Sequence, residues 1–194
     1  MSNIKIDYRI LGDVGTNCYL VINEDINECI LIDPADCPDK IQQMIEKNNA
    51  KLKAVLLTHG HYDHITAADD IRNIYGIKIY VSCDEEELLS DTHMNLSAHS
   101  RRPVTLKADV YHRDMDILEL AGMTIEVIHT PGHTIGGSCY YIKEAGLVHL
   151  SGYQAVGYAR NRYTGKGSDF RRTQRQRNSR WMVCRPIQIL LGAE

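Results

Sequence analysis

The stretch "LLTHGHYDHI", residues 56–65, sets His59, His61, Asp63 and His64 within six positions. Imidazole and carboxylate are the donors that zinc takes, and iron and manganese accept them too. Spacing matters as much as type. His59 and His61, separated by one glycine, can turn two imidazoles onto a single cation, while Asp63 and His64 point elsewhere, onto a second one. A further histidine, His133, stands in the Pro-Gly turn of "IHTPGHTIGG", residues 128–137. Three imidazoles around one cation leave a position for water, whose pKa falls towards 7 in such sites. The chemistry on offer is metal-assisted hydrolysis, provided the fold brings the two loops together. His129 reads instead as a hydrogen-bonded structural residue, and His93, His99, His112 and His149 have weaker claims.

The elements that must position these loops are legible from periodicity. Short apolar or alternating runs rich in β-branched residues predict strands near residues 4–10, 18–22, 29–32 and 54–57. Others follow near 78–81, 124–128, 139–142 and 147–150. Helical spacing appears at 38–48, with Pro38 suited to a first turn, and at 66–76, closed by Gly76. A third helix is expected over 84–91, where acids precede the apolar residues. Sheets covered by helices follow, an α/β or α+β sandwich. His59 falls just past one predicted strand and His133 just past another, so both loops open at carboxyl ends, where open α/β sheets hold ligands.

Composition narrows the class. At 194 residues the chain is one ordinary domain. It has no apolar run long enough for a membrane span. Its start, "MSNIKIDYRI", lacks a secretory layout, and its six cysteines form no regular framework. Reduced thiols and a cytoplasmic location are expected. Charge is unevenly spread. Residues 1–150 hold 13 Lys+Arg against 23 Asp+Glu, whereas residues 151–194 hold 9 against 2, eight of the nine being arginine.

"THGHYDH" followed by "TPGHT" resembles the metallo-β-lactamase fold superfamily, and "DYRILGDVGTNCYLV", "LIDPADCPDKI" and "LELAGMTIEVIHTPGHTIGGSCYYI" resemble its small glyoxalase II-like hydrolases. The resemblance runs over roughly residues 4–152. It implies an αββα sandwich with a metal pair at one edge of its two sheets, and hydrolysis of a thioester such as an acylglutathione by metal-bound hydroxide. Carried over residue by residue, His59, His61 and His133 match the ligands of a first zinc. Asp63 and His64 match two ligands of a second, and Asp63 also steers the hydroxide's proton. "GTNC" (residues 15–18) and "IDPAD" (residues 32–36) match loops beside the site. Asp33 has two readings, orienting a ligand histidine or forming a turn before Pro34. Arg101 and Arg102, in a loop that such proteins place over the site's mouth, read as a solvated pair or as an attractor of a substrate carboxylate.

The resemblance stops after Gly152. The family pattern has a metal-bridging aspartate where this chain has Tyr153, and a late histidine where this chain has none after His149. One zinc is therefore expected, not two, with a domain at 1–152, a sandwich incomplete at its C-terminal end and an atypical arginine-rich tail at 153–194. Read from each codon's second base, residues 152–154 permit Asp-Thr, and residues 161–164 with the next base permit Thr-Asp-Ile-Pro. A similar series occurs in the family, so a frameshifted tail is the reading adopted. Two alternatives stand beside the hydrolase: a mononuclear iron persulfide dioxygenase on the same fold, and a non-catalytic protein whose basic tail contacts nucleic acid. The nucleic-acid reading is the weaker, because the tail has few aromatics and no binding module. The expected partner is a small molecule.

Overall fold

The computed structural model describes residues 3–145 and 147–149. The chain opens with an antiparallel hairpin, β1 (Ile4–Leu11) and β2 (Thr16–Asn23), followed by β3 (Glu28–Ile32) antiparallel to β2. Pairing then turns parallel. Helix α1 (Pro38–Lys47) crosses to β4 (Lys51–Leu56). Helices α2 (Tyr62–Ile65) and α3 (Ala68–Tyr75) lead to β5 (Lys78–Ser82). A 3-10 turn at Cys83–Glu85, helix α4 (Glu86–Ser90) and a long loop lead to β6 (Val110–His112). These six strands lie side by side in chain order. A second, antiparallel sheet is built from β7 (Ile117–Leu120), β8 (Met123–His129), β9 (Ser138–Ile142) and β10 (Leu147–His149), ordered β10-β9-β8-β7.

Alternation along the central strands explains the layering. Every residue of β2 is buried, so this strand is covered on both faces. Cys18, Leu20 and Ile22, with Leu31 and Val55, meet Ile41, Met44 and Ile45 of α1 and Ile71 of α3. The intervening Tyr19 and Val21, with Ile30, Ile32 and Leu56, meet Met123, Ile125, Val127 and Tyr140 of the second sheet. The result is helices on sheet on sheet. A helix on the outer face of the second sheet, which the αββα arrangement calls for, does not occur among the described residues. Tyr153, the arginine-rich tail and the frameshift reading all lie outside them. Pro38 opens α1, and Gly76 closes α3 in the left-handed conformation (φ 64°), its N–H donating to the Arg72 carbonyl at 2.8 Å.

Three features differ from expectation. β6 and β7 were not anticipated, because a three-residue edge strand and the polar-flanked "ILEL" have little periodicity of their own. The four-residue α2 is likewise set by what surrounds it. The segment expected as one helix over 84–91 is a 3-10 turn followed by a short α-helix. No helix among the described residues is long and apolar enough to cross a membrane. Cys18, Cys29, Cys37, Cys83 and Cys139 are all free thiols.

A buried polar chain ties the sheets together. The Tyr140 hydroxyl donates to the Leu57 carbonyl at 2.6 Å, and His112 Nε2 lies 2.9 Å from the same hydroxyl. Because tyrosine has one proton to give, His112 Nε2 is the donor in that second bond. Burial, aided by repulsion from His129, lowers the His112 pKa to about 4. In the unfolded chain it would titrate near 6.5. Between those values the unfolded state takes up a proton that the folded state refuses, so stability falls as the pH drops through this window. That costs about 3 kcal/mol by pH 4. His112→Gln keeps a donor for Tyr140 but does not titrate. Urea unfolding of metal-free protein should show the wild type losing about 3 kcal/mol more than this variant between about pH 7 and pH 4. Parallel losses would remove His112 as the acid-sensitive group.

Candidate metal centre

Leu57, Thr58 and His59 continue straight from the end of β4, and two bonds from the second sheet fix where they go. The Ser138 N–H donates to the Thr58 carbonyl at 2.9 Å, beside the Tyr140 bond to Leu57. Chain leaving β4 is thus held against the start of β9. The turn between β8 and β9 carries His133, and it reaches the His59–His61 loop. The ligand atoms of His59, His61 and His133 lie within 4.8 Å of one another. His61 Nδ1 is 2.9 Å from His133 Nε2, and the His59 ring lies 4.8 Å from that of His61 and 4.9 Å from that of His133.

The proton on His59 can be placed. Thr58 Oγ1 donates its hydrogen to Asp33 Oδ2 at 2.7 Å, so towards His59 Nδ1, 3.2 Å away, it can only accept. His59 therefore has its proton on Nδ1 and a lone pair on Nε2. That Nε2 is buried and has no hydrogen-bond partner. A buried acceptor without a donor is costly, and a cation is the partner this geometry fits. Protonation points the same way. Burial, with repulsion from His64, holds His59 well below the usual histidine range, and burial with repulsion from His133 takes His61 down to about 4. His133, exposed on one side, is lowered by its partial burial and by His64. Three neutral imidazoles converge, the form in which histidine binds metal.

His64 and Asp63 behave differently. Burial alone would depress His64, but Asp33 and then Asp63 outweigh it, and the imidazole's pKa is raised. Its Nδ1 is 2.9 Å from Asp33 Oδ2 and its Nε2 is 3.4 Å from Asp63 Oδ2, while Thr16 Oγ1 donates to Asp63 Oδ2 at 2.7 Å. These two face each other beside the triad, within 4.1 Å of the His59 ring in the case of His64. As a donor set they are two groups, engaged with each other.

Asp33 is fully buried and has a left-handed backbone (φ 53°), a conformation aspartate tolerates better than most residues. Its Oδ1 accepts from the Thr58 N–H at 2.8 Å. The turn at Asp33 is thus what delivers its carboxylate to Thr58 and His64.

Residues 11–150 match the Metallo-beta-lactamase superfamily. The chain belongs to that superfamily. Among metallo-β-lactamase relatives, the probable metallo-hydrolase YqgX of Bacillus subtilis is 36% identical over 140 residues, 71% of this chain and 65% of that one. The hydroxyacylglutathione hydrolase GloC of Haemophilus influenzae is 32% identical over 123 residues, 62% of this chain and 58% of that one. The chain thus spans less than two thirds of the length of either relative. A solved B3 metallo-beta-lactamase, BLEG-1, superposes with a TM-score of 0.67 at 33% identity, covering 73% of this chain and 69% of that one.

Other residues singled out in this member of the superfamily are not part of the converging group. His129 bonds Ser82 Oγ at 2.8 Å, and the exposed His93 and His99 rings meet edge to face at 6.2 Å on the loop after α4. Arg101 and Arg102 pair with Asp13 at 3.8 Å and Asp70 at 3.1 Å, exposed contacts worth little to stability. One residue beside the site escaped sequence reading altogether. Glu85 is fully buried, and its carboxylate accepts from the N–H groups of Gly60 and Gly136. The signal was there in weak form: Glu85 stands one helical turn before the buried Leu89, on the same face.

Proposed function

We propose that this domain is a zinc-dependent hydrolase of small-molecule thioesters, of the acylglutathione kind, holding one zinc on His59, His61 and His133. The carrying observation is the convergence of three neutral imidazoles from two separate loops, one of them with a buried, partnerless Nε2. A cation there supplies Lewis acidity, bringing the pKa of water towards 7 and polarising a carbonyl. Asp63, steadied by Thr16, takes the proton released by the attacking water. Asp33 holds His64 by its Nδ1, which fixes the ring that faces Asp63. A thiolate leaves readily, so the site needs no strong acid on the leaving-group side. The similarity to a hydroxyacylglutathione hydrolase supports the choice of thioester.

Purified full-length chain should contain about one zinc, as three protein donors and an open position require. It should cleave an acylglutathione, measured by loss of thioester absorbance, and chelation should abolish turnover until zinc is returned. Tyr153→Asp, which restores the aspartate of the family pattern, should raise metal content. Two tightly held zincs in the wild type would refute the one-metal assignment. Iron with oxygen consumption would replace hydrolysis by persulfide oxidation. Resequencing the gene tests the frameshifted tail, which an unbroken reading frame with the same arginine-rich ending in relatives would refute.

A further inference from the structure

The structure assigns Glu85 as the positioning residue that sets the distance between the two histidine loops, an inference that rests on the metal reading above. Its Oε2 accepts from the Gly60 N–H at 2.8 Å, between His59 and His61, and its Oε1 accepts from the Gly136 N–H at 2.7 Å, in the loop that carries His133. One side chain thus clasps both metal-bearing loops by their backbones, 25 residues away along the chain on one side and 51 on the other. The carboxylate is fully buried, and each of its two oxygens takes one N–H.

The glycines are part of the device. A Cβ at Gly136 would come within 2.8 Å of Glu85 Cγ and 2.9 Å of Ser82 Oγ, and one at Gly60 within 2.7 Å of Leu88 and 2.9 Å of Leu89. The His133 loop presses its bare backbone against the turn that holds Glu85, and the His59–His61 loop presses its own against α4, which follows that turn. That turn is itself rooted. Ser82, the last residue of β5, accepts from the Asp84 N–H at 3.2 Å and contacts His129 at the end of β8. Glu85 is therefore a ruler attached to the carboxyl end of β5, and the convergence of His61 and His133 depends on its span. Glutamine is nearly the same shape but offers one acceptor oxygen where two N–H groups need one each. The other loop would face an NH2 group and be pushed away.

The test is cobalt(II) titration of the metal-free full chain, following both affinity and the visible d–d absorption that reports ligand geometry. Glu85→Gln should bind cobalt about 10- to 100-fold more weakly, the usual effect of losing a partner behind the ligands. Its d–d band should change while cooperative unfolding persists, and the exposed-site control Glu87→Gln should match wild type. Unchanged affinity and spectrum in Glu85→Gln would overturn the clasp while leaving the metal centre intact. Failure of the wild type to bind cobalt at all would instead sink the metal reading, and the clasp with it. Should Glu85→Gln not fold, amide hydrogen exchange in the wild type decides. Gly60 and Gly136 should both be protected, and free exchange at either would overturn the assignment.

Discussion

Replacing His133 with alanine should weaken zinc binding about 100- to 1,000-fold and leave the fold standing. Sites with four donors deliver roughly 10–16 kcal/mol, so one imidazole accounts for about 3 kcal/mol. His133 is exposed and sits in a turn, so truncation opens no cavity in either core cluster. It is also the imidazole that the β8–β9 turn of the second sheet brings to the group, its Nε2 facing His61 Nδ1 across 2.9 Å. Competition against a chromogenic chelator gives the affinity, and urea unfolding of metal-free protein gives the fold. An affinity equal to the wild type's would mean that His133 is not a ligand, and the proposed hydrolase would lose its open three-nitrogen site.

Asp33→Ala should cost about 3–5 kcal/mol of folding stability, the range found when one partner of a buried charged pair is removed. The Thr58 N–H, the Thr58 hydroxyl and His64 Nδ1 would all lose their acceptor in a place water does not reach. Alanine also dislikes the left-handed backbone at this position. Asp33→Asn is the informative companion. Asparagine accepts that backbone and can still take the Thr58 N–H, but its amide nitrogen would donate towards His64. The milder loss should come with a switched His64 tautomer, visible by nitrogen NMR of the ring. A loss below about 1 kcal/mol in Asp33→Ala would show that the carboxylate is not the anchor described here.

How much of this could be read from residue order depends on where the information resides. His59, His61, Asp63 and His64 announce themselves because rare residue types crowd one loop, and His133 because a Pro-Gly turn follows a clear strand. β2, β3 and β4 are legible since deep burial demands apolar runs. β6 is not, because three residues at a sheet edge take their conformation from β5. Asp33 left two readings open, and its backbone shows why: the turn and the bond to His64 are one arrangement. Glu85 was hidden by its neighbours. In "DEEE" one acid is buried and the other three are exposed, a distinction made only when two distant loops arrive at its oxygens.

The two nitrogen-bearing loops spring from different sheets and stand more than seventy residues apart along the chain. Nothing local can bring them together, so a chain in which only the first sheet and its helices have formed offers a cation two of the three converging imidazoles at most. Metal capture is then an event that follows the docking of sheet on sheet. A cation bound there would slow the parting of the sheets far more than it hastens their meeting.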